Sequence, residues 1–339
     1  MNKVLIFGIT GALGRYMAQA CLAQGWQVTG HARQAEKLAA ELSGQVDLVN
    51  CPLQQDDPAL AATIASHDII IYAANPPYQL WQQQALPMLE AVLGPVENFR
   101  KTLFFPANLY IYDPKLTPEV NENSPAQPVT AKGQLRLLME QRLRQAGDLG
   151  AQIIMMRCGD FIGADAPNSW IPQLLKLAGK QLQLRSPGDS QQLHSWAWLG
   201  DYSKVAVVLL QRRQQLGNFS CFHFRGYCLS IQQLAATLQP LCQQPVKIST
   251  MPWWPLYALA LVMPLLREVI KMRYLWQWPL ALDDSKLRNF LADQPELLQT
   301  TPIAEALLQA GLIPANALTA QSALTTQPAA LAVDQALVK

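Results

Sequence analysis

The sequence predicts an α/β fold, a doubly wound parallel sheet followed by a smaller C-terminal lobe. Three observations carry this expectation. Short apolar strand-like runs alternate with helix-like segments over roughly the first 160 residues. Such alternation requires crossover helices, and therefore parallel strands. A glycine-rich turn joins the first strand to the first helix. Beyond about residue 160 the alternation fades and Trp, Pro, Gln and Leu become frequent, as expected of a second lobe built from insertions.

Taken in order, Val4–Phe7 reads as a buried strand and Ala12–Gln24 as a helix, with Ala12, Leu13, Tyr16, Met17, Ala20 and Cys21 at helical spacing and Gly25 just past its end. Trp26–Ala32 alternates apolar and polar residues as a second strand. Asp68–Ala73 and Thr102–Phe105 are further buried strands, and a helix from about Lys132 to Ala146 precedes a strand at Gln152–Met156. Asp201 is expected to cap a helix beginning near Tyr202. Residues 1–160 are assigned to a core to which later segments return, 161–313 mainly to the second lobe, and 314–339, rich in Ala, Thr and Gln, to a disordered tail.

Composition narrows the function. With half the residues apolar and 15% charged, the chain has the makeup of a packed globular protein. A net charge of +2, with no basic run, excludes a nucleic-acid partner as the expectation. Six cysteines without a Cys-x-x-Cys pair and four histidines away from ligand spacing predict free buried thiols and no metal site. The N-terminal apolar run ends in glycines after a few residues, so it is read as a strand rather than a signal peptide, and the protein as cytoplasmic. Trp253–Leu266 is too short to span a bilayer and is broken by Pro255 and Pro264. It is expected to cover an apolar pocket in the second lobe, with membrane-surface contact and a lipid-like substrate as the weaker alternative. The oligomeric state is not read from the sequence.

The turn Gly8-Ile-Thr-Gly11-Ala-Leu-Gly14 follows a strand and opens a helix. Gly8 lets the chain turn, Gly11 admits a pyrophosphate to the backbone, and Gly14 lets helix pack on sheet. The helix N-terminus then offers unpaired N–H groups to phosphate oxygens. The spacing resembles the short-chain dehydrogenase/reductase superfamily, whose core is a Rossmann fold. WQVTGHARQAEKL, DIIIYAANPPY, FFPANLYIYDP, RCGDFIG and LHSWAWLGD extend the resemblance, and MPWWPLYALALVMPLLREVIKMRYLWQWPLALDDSK is similar to members described as NAD-dependent epimerase/dehydratase proteins. It covers about residues 1–312.

The resemblance implies a nicotinamide cofactor held by Gly8, Thr10, Gly11, Ala12, Leu13 and Gly14, with Ala73, Ala74 and Asn75 beneath it. Arg33, where NADP-preferring members carry Arg, implies NADP(H), with NAD(H) as the alternative. Arg15 adds a second positive charge. Two positions depart from the family. Cys51-Pro52-Leu53 stands where an Asp–Leu pair is common, and Asn108 where a Ser or Thr precedes the structural tyrosine, here Tyr112.

The departure with most consequence is the missing Tyr-x-x-x-Lys pair of the superfamily, in which Tyr moves the proton and Lys holds the nicotinamide ribose. Two registers compete, Thr130/Gln134 and Lys132/Arg136. On a helix Leu135, Leu138, Met139, Leu143 and Ala146 form one apolar stripe, which Lys132 and Arg136 flank while Thr130 and Gln134 face away. Lys132 and Arg136 are therefore placed at the site, with Lys132, Asn108 and Tyr110 as candidate catalytic residues and Arg136 on the cofactor. The competing reading makes Lys132 and Arg136 an exposed pair near Glu140. Asp160 and His194 are further candidates for substrate contact. The expected function is an NADP(H)-dependent oxidoreductase or epimerase-like enzyme acting on a small or medium carbonyl/alcohol substrate. The alternative is a non-catalytic dinucleotide-binding, redox-sensing protein.

Overall fold

The computed structural model describes residues 1–166 and 169–313; the tail assigned to 314–339 lies outside the described residues. Its centre is a seven-stranded sheet, all parallel. In chain order come β1 (Lys3–Phe7), β2 (Gln27–His31), β3 (Asp47–Val49), β4 (Ile69–Tyr72) and β5 (Thr102–Ala107), followed by Gln152–Arg157 and Phe219–His223. In space β3, β2, β1, β4 and β5 run in that order, and Gln152–Arg157 and then Phe219–His223 complete the edge beyond β5. The strand order reverses between β1 and β4, which opens a crevice at their C-terminal ends where ligands of such sheets bind.

Strands β1, β4 and β5 are buried on both faces, while the edge strand β3 is largely exposed. Val4 and Ile6 of β1, with Ile69 and Ile71 of β4, enter one apolar cluster; Leu5, Phe7, Ile70 and Tyr72 enter the other. This period of two feeds the two helix layers. On the first face lie α1 (Ala12–Ala23) and the helix Leu199–Gln211. On the second lie α2 (Pro58–Ala65), α3 (Trp81–Asn98) and α4 (Ala131–Asp148). A third cluster, which includes Trp196, Trp276, Leu182 and Leu238, fills the C-terminal lobe around two three-stranded sheets.

Three local expectations change. Leu138 is exposed, so the buried stripe of α4 is Leu135, Met139, Leu143 and Ala146. Asp201 is not a cap. Its helix starts at Leu199 after Trp198, and its carboxylate accepts bonds from the Thr301 N–H and hydroxyl, both at 2.8 Å, thereby tying down the segment 100 residues later. The stretch 253–266 turns most of its apolar side chains outward. Pro264 starts a new helix, so Trp253–Leu259 and Pro264–Lys271 are separate short helices, and only Trp253 and Ala260 of the stretch are buried. No helix among the described residues is long and apolar enough to cross a membrane.

Candidate functional site

The glycine turn lies at the C-terminal end of β1. Gly8 has a φ of 85°, a conformation costly for any side chain, and its carbonyl accepts from the Gly11 N–H at 3.0 Å. A Cβ on Gly14 would overlap the Gly8 carbonyl, and one on Gly8 would overlap the backbone of Ala73, so strand, turn and helix meet at backbone distance. Helix α1 begins after Gly11 without a side-chain cap. Thr10, Gly11, Ala12 and Arg15 line a cavity of about 280 Å³ that also includes Lys37 and Glu41. An uncapped helix start opening into a cavity has the donors and the space a pyrophosphate needs. Ala73 and Ala74 follow β4 directly against Gly8. Arg33 is exposed beyond β2 and has no hydrogen bond or ion pair among the described residues. Arg15 is engaged instead by Asp165 at 2.6 Å and the Ala164 carbonyl at 3.0 Å.

The second half of the site is the first two turns of α4. Thr130 caps this helix by accepting from the Gly133 N–H at 3.1 Å. Lys132 and Arg136 are only 3% and 6% exposed, so the exposed-pair reading fails. The Lys132 ammonium donates to the Glu268 carboxylate and lies 4.2 Å from the centre of the Tyr78 ring. The Arg136 guanidinium stands 4.6 Å from the Trp81 ring and donates to Asn75 Oδ1 at 3.2 Å. Burial pushes the Arg136 guanidinium below its ordinary value, opposed by the tyrosines and Glu140 around it. Its Nε is buried with no hydrogen-bond partner. The Nε atoms of Arg157 and Arg273 are in the same state, so it is the place of the Arg136 Nε, beside Asn75 at the sheet end, that fits a ligand hydroxyl.

Tyr110 joins Lys132 to β5. Its hydroxyl is hydrogen-bonded to that of Tyr78, beneath Lys132, and its carbonyl lies where a side chain on Gly133 would go. Burial pushes the Tyr110 phenol well above its ordinary value, so it is a donor rather than a base. Asn108 Oδ1 accepts from the Tyr110 N–H at 3.1 Å, which leaves the amide NH₂ as its donor. The Asn108 carbonyl is held by Arg157, whose guanidinium also bridges both Glu140 oxygens at 2.9 and 2.7 Å. Glu140 therefore braces the β5 loop through Arg157, and its charge also favours the Arg136 cation without a direct hydrogen bond to it. Asn108, Tyr110, Cys158, Asp160 and His194 line a small cavity of about 30 Å³. His194 Nε2 lies 2.7 Å from Asp160 Oδ2, and its ring stacks on Trp276 at 3.8 Å.

The structure thus brings Lys132, Arg136, Asn75 and Tyr110 to one locus, with Asn108 on its far side and the glycine turn across the β1–β4 crevice. Sequence reasoning missed Tyr78, Trp81, Arg157 and Glu268. Tyr78 and Trp81 stood in the quoted DIIIYAANPPY run and just beyond it, so aromatic residues beside a strand end were a usable signal. No local signal marks Glu268, which meets Lys132 from 136 residues away.

Comparison with known proteins agrees with this geometry. Residues 4–220 match the model of the NAD dependent epimerase/dehydratase family. The chain is 27% identical over 203 residues to the dTDP-6-deoxy-L-talose 4-dehydrogenase (NAD(P)(+)) of Kitasatospora kifunensis. That match spans 56% of this chain and 62% of the relative, less than two thirds of its length. Among solved structures, a putative epimerase from Burkholderia cenocepacia J2315 superposes with a TM-score of 0.71 at 18% identity, covering 92% of this chain and 97% of that one. The UDP-glucose 4-epimerase from Brucella ovis in complex with NAD gives a TM-score of 0.61 at 15% identity, covering 74% and 86%. These two establish the likeness of fold. With a family match across well over half its length, the chain belongs to the NAD dependent epimerase/dehydratase family.

Proposed function

We propose that the protein is an NADP(H)-dependent oxidoreductase or epimerase-like enzyme acting on a small or medium carbonyl or alcohol substrate. The observation that carries this reading is the unpartnered, buried Nε of Arg136, set beside Asn75 at the sheet end that also presents the uncapped glycine turn. The turn would hold the pyrophosphate, and Arg136 the hydroxyls of the nicotinamide ribose. Arg33, exposed and free of partners among the described residues, would meet a 2′-phosphate. The NAD(P)(+) of the curated relative supports the cofactor class, and the NAD-bound epimerase keeps NAD(H) as the alternative.

When bound, the cofactor supplies hydride donation or acceptance at its nicotinamide C4. The chain supplies the proton. Lys132 would give a proton to the substrate oxygen as a carbonyl becomes an alcohol, and take it back in the reverse direction. The Lys132 ammonium has three N–H bonds, so it would donate to the substrate oxygen while Glu268 holds it in place. The Asn108 NH₂ would orient that oxygen as a donor, and the protonated Tyr110 hydroxyl, which donates to Tyr78, would do so only on exchanging that partner.

Lys132→Met and Arg136→Met separate these roles. With nicotinamide absorbance followed over a panel of ketones, secondary alcohols and nucleotide sugars, Lys132→Met should lose about 10²–10⁴-fold in turnover. Its calorimetric cofactor affinity should stay near that of the wild type. Arg136→Met should weaken cofactor binding by about tenfold or more, the worth of charge-assisted hydrogen bonds. Full activity in Lys132→Met would move the proton donor to Tyr110. Tight cofactor binding with no turnover by the wild type on any substrate would favour the redox-sensing alternative.

A further inference from the structure

The exposed apolar face at residues 254–265 stands apart from the rest of the surface. Trp254 is 79% exposed, Leu261 and Val262 are each 76% exposed, and Tyr257, Leu259, Met263 and Leu265 are also exposed. Scattered exposed leucines are ordinary on a soluble protein, but seven exposed large apolar side chains within twelve residues mark an interaction surface. The run is held in shape from behind. Arg267 donates to the Ala260 carbonyl at 2.6 Å and to the Leu261 carbonyl at 2.5 Å, locking the turn between the two short helices. Arg273 donates to the Tyr257 hydroxyl at 3.3 Å and lies 5.0 Å from the Trp253 ring.

The charges beside it choose the occupant. Arg267, Lys271 and Arg273 flank the apolar turn, with Glu268 as the one acid in residues 251–278. The Lys271 side chain is 56% exposed and its ammonium pairs with Glu268 Oε1 at 2.7 Å, which leaves Arg267 and Arg273 as the cations with no acidic partner among the described residues. A second copy docked face to face would bring like charges together. A bilayer bearing anionic headgroups instead offers hydrocarbon to the turn, an interface for Trp254 and Tyr257, and phosphate or carboxylate groups to the cations.

We infer that residues 254–265, with the cations Arg267, Lys271 and Arg273 beside them, dock the protein on the surface of an anionic phospholipid bilayer. The attachment is peripheral, because the two helices are seven and eight residues long and neither can span. Helix Pro264–Lys271 also carries Glu268 to Lys132, so the docked element touches the candidate site, although docking does not depend on catalysis.

Full-length protein is mixed with phosphatidylcholine vesicles, with and without phosphatidylserine, and sedimented. The wild type should pellet with the phosphatidylserine vesicles and be released as salt is raised. Leu261→Glu combined with Val262→Glu should cut partitioning at least tenfold, with thermal unfolding and cofactor affinity unchanged. Lys271→Glu should cut it about fivefold. Wild type remaining in the supernatant with both vesicle types overturns the inference, as does equal pelleting of the double variant. A dimer that the double variant makes monomeric, with no vesicle binding, would assign the face to a second copy.

Discussion

The Arg157 guanidinium is the most deeply buried charge in the site region, at 2% exposure; its two terminal nitrogens are held by Glu140 and the Asn108 carbonyl, while its Nε has no hydrogen-bond partner. A buried cation of this kind acts on every neighbour. His223, fully buried at the end of its strand, is pushed down to about 3 from 6.5 by desolvation first and by the Arg157 charge second. Above pH 6.5 the imidazole is neutral in both folded and unfolded chains. As pH falls below 6.5, the unfolded chain takes up a proton that the folded one refuses until near pH 3, so stability drops by about 1.4 kcal/mol per pH unit for this group. Urea unfolding at a series of pH values should show a shallower acid slope in His223→Asn than in the wild type. Identical slopes would remove His223 from the account. At this scale Lys132 and Arg136 were readable, because an apolar stripe on one helix locates what flanks it. Their partners were not, because a salt bridge to Glu268 or a contact with Trp81 depends on how separate elements pack.

Elements differ in how plainly they announce themselves. Five strands of the central sheet were legible as short apolar runs, and α1 and α4 as periodic segments, whereas β3 and the edge strand Phe219–His223 were not read. Helix α3 was hidden by Pro87 and Pro95, which lie inside it and interrupt the pattern that periodicity relies on. Two glycines show how an element's own preference and its packing separate. A Cβ on Gly94, within α3, would meet nothing within 4 Å, whereas one on Gly133, in the first turn of α4, would overlap the Tyr110 carbonyl. Gly94→Ala should therefore stabilise the protein by about 0.5–1 kcal/mol through helix propensity. Gly133→Ala should destabilise it by roughly 1–3 kcal/mol, because α4 must move off the β5 loop. Chemical denaturation of both variants measures the two signs, and a stabilised Gly133→Ala would contradict the close approach of α4 to Tyr110.

For the whole molecule, the central consequence is that the sheet's strand order puts Gly8, Ala73 and Asn75 around one crevice while Arg33 lies at the end of β2, next to β1. A ligand bound only by the folded state raises stability by about 2.7 kcal/mol at a hundredfold excess over its Kd. Under the proposed cofactor preference, NADPH should raise Tm more than NADH at equal concentration, and the difference should vanish in Arg33→Ala. Equal shifts in the wild type would return the choice to NAD(H).

The linear order of residues determined the α/β class, the strand–turn–helix of the glycine loop and the positions on α4 that flank its apolar stripe. Each of these rests on local periodicity or on backbone requirements confined to a few neighbouring residues. Tertiary structure alone decided that Glu268 closes on Lys132, that Asp201 anchors Thr301 and that Arg15 is taken by Asp165. It also decided that the apolar run after Trp253 faces outward. The reason is physical. Apolar composition states that a segment avoids water, but which surface it meets is set by the packing of elements far apart in the chain.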